Sequence, residues 1–140
     1  MAHECEYTAF IDGASSGNPG DAGIGIIIYK DKEAVVSESK YIGKQTNNFA
    51  EYTALIVLLE MTEKHGIKKI KIFSDSELVV KQMSGEYKIK NEDLRILAHK
   101  AQAYQKKIKF TLEHIRREGN GEADDLAKAA SKRGGKLNDV

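Results

Sequence analysis

The chain has no tryptophan, one proline and one cysteine among 140 residues. A lone thiol, Cys5, excludes an intrachain disulfide and any cysteine-based zinc site. Apolar runs are short: a stretch such as Ile24 to Tyr29 is a fraction of the ~20 residues that span a bilayer. The opening Met1-Ala2-His3-Glu4-Cys5-Glu6 has neither the basic start nor the apolar core of a secretory signal, so a cytosolic location is expected. Repeats, low-complexity stretches and linkers are missing too, which argues against several domains.

What is present is ordinary for a soluble globular domain. Hydrophobic residues make up 41% and charged residues 31%, too apolar a mixture for disorder. One domain over 1–133 with a loose tail at 134–140 is the expected organisation, as a monomer without an obligate protein partner. The net charge of +1 hides an asymmetry: residues 1–63 carry 10 acidic and 4 basic side chains, whereas 64–140 carry 11 and 18. A basic half attracts polyanions, although a set of solvated helix faces would look the same.

The pivotal stretch is Phe10 to Gly20. Tyr7, Ala9 and Ile11 alternate with Thr8 and Phe10, as in a half-buried strand from Glu6 to Ile11. Asp12 comes where this pattern gives way to Gly13-Ala14-Ser15-Ser16-Gly17-Asn18-Pro19-Gly20. Glycine lets backbone N–H groups approach a phosphate or sugar. A carboxylate beside such a loop would repel the phosphate unless a cation lay between them. That points to metal-dependent phosphodiester chemistry, although on this stretch alone a plain Asp-Gly turn is the simpler reading.

Gly23 to Tyr29 is β-branched and almost continuously apolar, which predicts a strand buried on both faces. Lys30-Asp31-Lys32-Glu33 is a polar turn, and Ala34 to Ile42 completes a hairpin. Asn47 or Asn48 can cap a helix that glycine stops at His65-Gly66. Glu51 heads its apolar stripe of Ala54, Leu55, Leu58 and Leu59. A carboxylate on a buried side is expensive unless paired or bound to a cation, and an exposed Glu at the stripe edge is the plainer alternative. Lys68 to Asp75 reads as a strand between helices, hence a parallel connection, with Asp75 at its C-terminal end where open α/β sheets place ligands. Asp75 or Ser76 can equally cap the helix Glu77 to Met83.

Asn91 caps a longer helix with Leu94, Leu97, Ala98, Ala101 and Tyr104 on its buried stripe, and Ile108 to Ile115 alternates as a last strand. A charged loop, Arg116 to Gly119, leads to Asn120 as cap of a helix through about Lys132. Ala123, Ala127 and Ala130 give that helix a narrow packing face, and Asp124 borders it. The order is βββαβααβα, an α/β fold.

Asp12, Glu51, Asp75 and Asp124 thus lie at element ends or inward edges. Each has a structural explanation of its own. As a set they are all-oxygen ligands, suited to Mg²⁺ or Mn²⁺ and poor for zinc. Two such ions about 4 Å apart can activate a water and stabilise the leaving oxygen in phosphodiester hydrolysis. Spacing alone does not bring the acids together.

Four segments carry a resemblance: Asp12-Gly13-Ala14-Ser15 with Gly17-Asn18-Pro19-Gly20, Asn47 to Leu55, Ser74-Asp75-Ser76, and Asn120 to Ala127. In order and spacing, over Tyr7 to Ala130, the sequence resembles the ribonuclease H family, type 1, in the compact form without its Trp-rich basic insertion. The resemblance implies a ribonuclease H-like fold, a five-stranded mixed sheet with helices on both faces. It implies endonucleolytic cleavage of the RNA strand of RNA–DNA hybrids, leaving 5′-phosphate and 3′-hydroxyl ends. Asp12, Glu51, Asp75 and Asp124 would hold two divalent ions. Gly13 and Ser15 through their backbone, with Asn18, Asn48 and Glu77, would read the 2′-hydroxyl or adjoining sugars. The family's loop histidine has no counterpart between Arg116 and Gly119; His114 lies upstream in the strand, and Arg117 or Glu118 is the better candidate for a loop role. Without the insertion, affinity should rest on scattered lysines such as Lys81, Lys88 and Lys90 and be salt-sensitive. The alternative of another class is a non-catalytic module binding RNA–DNA hybrid or double-stranded RNA, although such a binder gains nothing by presenting carboxylates to phosphate.

Overall fold

The computed structural model describes residues 5–138. Five strands, β1 (Tyr7–Ser15), β2 (Gly20–Lys30), β3 (Glu33–Gln45), β4 (Lys69–Ser74) and β5 (Lys109–His114), form one sheet in the order β3-β2-β1-β4-β5. β1, β2 and β3 pair antiparallel as a meander, whereas β4 joins β1, and β5 joins β4, in parallel. The helices are α1 (Asn47–Lys64), α2 (Glu77–Ser84), α3 (Glu92–Ala103) and α4 (Gly121–Asn138), with 3-10 turns at Tyr104–Lys106 and Arg117–Asn120. α1 packs on one face of β1 and β2 with α3 outside it, and α4 packs on the other face over β1, β2 and β3. This is the α/β order and mixed sheet expected from the sequence.

β2 is buried from Ala22 to Ile28 because both faces are covered. On the α4 side the contact is close: a Cβ on Gly25 would meet the Ala123 carbonyl oxygen and lie 2.8 Å from the Ala127 nitrogen, and one on Gly23 would lie 2.5 Å from the Ala127 oxygen. The alanine face of α4 thus rides directly on the β2 backbone. Gly25→Ala is expected to lower stability by about 3 kcal/mol, the upper range for overpacking a filled core; the urea midpoint reads it, and an unchanged midpoint would contradict this packing.

Several expectations are corrected by tertiary pairing. Asp12 does not end a strand: β1 continues to Ser15, because Asp12 to Ser15 pair with Gly25 to Ala22 of β2. Only the parallel ladder with β4 stops early, at Ile11 opposite Ser74, which leaves the β4-side edge of Asp12 unpaired in the ladder. Thr46, not Asn47 or Asn48, caps α1; its Oγ1 accepts from the Phe49 N–H at 3.2 Å. α1 is buried around most of its circumference and not along one stripe, since it lies between the sheet and α3. Asn120 is no cap: the Arg116–Gly119 stretch becomes a 3-10 turn, and the Asn120 amide donates to the Ile11 carbonyl at 2.8 Å. α4 runs past Lys132 to Asn138, with Gly134 buried where a Cβ would collide with the Tyr41 ring. Most of the expected tail is therefore helical; Asp139 and Val140 lie outside the described residues.

Candidate active site

Asp12 comes from the open stretch of β1, Glu51 from the second turn of α1, and Asp75 from the residue after β4. Each presents a carboxylate oxygen within 4.8 Å of the others. Asp124, in the first turn of α4, lines the same cleft and acts on the Asp12 carboxyl. The fold explains the convergence. Gly13 lacks a Cβ that would lie 2.5 Å from the Ala50 oxygen and the Glu51 nitrogen, so α1 can press against β1. The Gly13 N–H then donates to Glu51 Oε1 at 2.7 Å. Ser76, whose Oγ accepts from the Val79 N–H at 3.3 Å, caps α2 and leaves Asp75 to the cluster. Asn120 ties the entry of α4 to the residue before Asp12; its Oδ1 is buried without a partner among the described residues.

Asp12 is 4% exposed and Glu51 5%, so two acids lie almost out of water. Burial, then the hydrogen bond and charge of Glu51, pushes the Asp12 carboxyl up to about 11. Burial pushes Glu51 up to about 7, against the opposing pull of its hydrogen bonds to Asp12 and the Gly13 N–H. Partial burial opposes ionisation of Asp124, but its hydrogen bond with Asp12 and the Lys128 ammonium at 3.0 Å hold it below the usual carboxylate value. The Arg117 guanidinium adds a favourable charge to Glu51 and Asp124. Crowded acids with so little compensation fit a divalent cation, and a donor set made only of carboxylate oxygen fits a hard one.

The acids floor an open cleft of about 580 Å³, lined also by Gly13, Ser15, Asn47, Ser76, Arg117 and Lys128. Comparison with known proteins adds to this geometry. A family model described as "Reverse transcriptase-like" matches residues 10–130. A protein named ribonuclease H from Ruegeria pomeroyi is 32% identical over 91% of this chain and 93% of its own length. The chain belongs to the ribonuclease H family.

Other relatives place it among the type 1 members. The ribonuclease HI of Halobacterium salinarum is 38% identical over 87% of this chain and 62% of its own length. The bifunctional protein Rv2228c of Mycobacterium tuberculosis is 43% identical over 85% of this chain. The chain matches only 34% of that relative's length. The solved N-terminal RNase H domain of Rv2228c superposes with a TM-score of 0.90 at 35% identity, covering 96% of this chain and 99% of that one. LC11-RNase H1, solved in complex with an RNA/DNA hybrid, superposes at 0.87 with 36% identity, over 92% of this chain and 99% of that one.

Within this ribonuclease H fold the expected substrate residues divide. Gly13, Ser15 and Arg117 line the cleft. Asn18 is turned to the scaffold, its Oδ1 accepting from the Asn47 N–H at 3.2 Å. Asn48 is exposed on α1 outside the lining; its neighbour Asn47 is in it, and accepts from the Ser15 N–H at 3.3 Å. Glu77 is also outside, ion-paired to Lys81 at 2.9 Å. Among the loop candidates, Arg116 is outside the lining and Glu118 faces a different cleft beside Thr8, Phe10 and Tyr29. His114 ends β5, exposed, opposite Ser74, and its charge acts on Glu77. Lys128 was not foreseen from the sequence, though it stands one helical turn after Asp124, the spacing of an ion pair. No helix among the described residues is long and apolar enough to cross a membrane.

Proposed function

We propose that this chain hydrolyses the RNA strand of RNA–DNA hybrids endonucleolytically, leaving 5′-phosphate and 3′-hydroxyl ends, at the cleft floored by Asp12, Glu51, Asp75 and Asp124. The observation that carries the reading is the convergence of three carboxylates from β1, α1 and the end of β4 to within 4.8 Å. Asp12, Glu51, Asp75 and Asp124 hold the two divalent ions, Mg²⁺ or Mn²⁺. When bound, such ions supply charge stabilisation to the reacting phosphate and activate the attacking water.

The chain's own groups do the rest. Glu51 is fixed by the Gly13 N–H at 2.7 Å, and the Asn120 amide, donating to the Ile11 carbonyl at 2.8 Å, ties the entry of α4 to β1. Arg117 offers a guanidinium to a phosphate oxygen at the lip of the cleft, a bidentate geometry suited to it. Lys128 balances Asp124 at 3.0 Å. Ser15 and Asn47 present polar groups where a 2′-hydroxyl of the RNA strand would pass.

The test is cleavage of a labelled RNA–DNA hybrid with Mg²⁺ and with EDTA, beside single-stranded RNA, duplex RNA and duplex DNA. Metal-dependent cutting confined to the hybrid's RNA is expected; binding without cutting would leave a hybrid-recognition module instead. Asp125 is exposed and outside the cleft. Asp125→Asn therefore retains activity while Asp124→Asn loses most of it, and the opposite pattern would reassign the fourth ligand.

A further inference from the structure

The sheet face that carries Asp12 is covered by α4 over β1, β2 and β3. Towards β4 and β5 it holds an aromatic cluster and a lysine field. Strand alternation buries Ile70, Ile72 and Ser74 of β4 against the other layer and turns Lys69, Lys71 and Phe73 to this face. Register sets Phe10 beside Phe73 and Lys69 beside Lys109. The Phe10 and Phe73 rings stack with centroids 5.2 Å apart at 24°, and Tyr29 meets Phe10 edge-on at 5.8 Å. All three are only half-buried.

Where β1, β4 and β5 begin, Lys68, Lys69, Lys71 and Lys109 line a hollow of about 460 Å³ with Tyr7, Ile70 and Thr111. Lys71 reaches Glu113 at 4.0 Å, and Glu6 also lines the hollow. Lys68, Lys69 and Lys109 have no ion-pair partner among the described residues. The acids Asp31, Glu118 and Glu122, with Lys32, line a cleft on the β2 side of Phe10 together with Tyr29, whose hydroxyl donates to Glu122 at 3.3 Å. Positive charge is thus collected at the β4–β5 end.

Half-exposed rings on a sheet, flanked by lysines of which only Lys71 has an ion-pair partner among the described residues, match unpaired bases joined by phosphates: each base stacks on a ring and each phosphate meets an ammonium. A duplex hides its base faces and an acidic peptide has no use for the rings. We propose that this face docks single-stranded nucleic acid, with Phe10 and Phe73 stacking bases and Lys69, Lys71 and Lys109 holding phosphates. Phe10 and Phe73 stand two residues before Asp12 and Asp75, roughly 7 Å along their strands. An unpaired tail on a hybrid would therefore be held next to the acid cluster.

Fluorescence anisotropy of labelled oligo(dT) and oligo(U) twelve-mers, titrated with the full chain in EDTA at low salt, tests this. The parent binds both without metal. Phe73→Ser weakens binding about tenfold, the effect of one lost stacking contact, and Phe73→Tyr restores it, which separates stacking from a folding defect. Lys69→Glu with Lys109→Glu weakens binding and flattens the dependence of log affinity on log salt by about one unit. All three variants cleave a blunt hybrid at the parental rate. No binding by the parent, equal binding by every variant, or binding that Asp12→Asn abolishes would overturn the proposal. Because cleavage is followed in parallel, oligonucleotide binding without hybrid cleavage would instead count against the catalytic reading alone.

Discussion

Asp12→Asn should abolish hybrid cleavage and, in the same protein, raise the melting temperature measured in EDTA. The first effect follows from ligand chemistry: an amide carries no charge to bind a divalent ion. Losing several kcal/mol of metal-assisted stabilisation, at 1.36 kcal/mol per tenfold, lowers the rate on the order of 10³-fold. The second effect follows from burial. Asp12 is 4% exposed and shares its space with Glu51 and Asp75, so without metal its carboxyl must take up a proton to fold, a cost that an amide does not carry.

The pH dependence fixes the sign. Burial raises Asp12 from 3.8 to about 11 and Glu51 from 4.5 to about 7. An acid raised in the folded state binds more protons folded than unfolded between those values. Its contribution is fully present below the unfolded value and is lost as pH climbs through the folded one. The metal-free parent therefore loses stability between about pH 4 and neutrality, and beyond it. The amide that replaces the Asp12 carboxyl does not titrate, so the advantage of the variant widens from roughly pH 5 to pH 8. Added Mg²⁺ is expected to reverse the order, because the parent keeps the carboxylate that such an ion would bind. Parallel melting curves for parent and variant across that range in EDTA would sink the argument.

How much of this was legible in the sequence depended on whether local chemistry or tertiary pairing decided each element. The strands and helices in order were legible, since alternation and helical spacing belong to the residues themselves. The inward placement of Asp124 was legible too, because Ala123, Ala127 and Ala130 mark the inward side of α4 and Asp124 borders it. The end of β1 was not. Gly13-Ala14-Ser15 has the composition of a loop, and only pairing with Ile24, Gly23 and Ala22 across the hairpin makes it strand. The cap at Asn120 failed for a related reason: its amide is drawn to the Ile11 carbonyl, 109 residues away, a partner no local pattern reveals. The tail expected from Gly134 onward is helix as far as Asn138, and a Cβ at Gly134 would collide with the Tyr41 ring. The cluster of acids needed the family resemblance, since spacing along a chain does not encode which strand ends meet.

Gly13→Ala distinguishes two reasons for a glycine beside Asp12. If its purpose were to admit a phosphate, alanine would leave the fold intact and weaken only hybrid binding. The structure gives another reason. Gly13 does not have a positive φ, unlike Gly43, Gly66 and Gly85, so conformation does not require glycine there. Space does: a Cβ would press on the Ala50 carbonyl and lie 2.5 Å from the Glu51 nitrogen, all backbone atoms that no rotamer change can move. Alanine must push the start of α1 away from β1, stretching the 2.7 Å bond that holds Glu51. The expected outcome is a loss of about 3 kcal/mol in urea denaturation, the upper range for overpacking, together with weaker Mg²⁺ binding by calorimetry. Ala50→Gly should not rescue it, because the obstruction is the peptide and not the methyl group. A Gly13→Ala protein with parental stability and Mg²⁺ affinity, but a raised KM for hybrid, would return this glycine to the substrate.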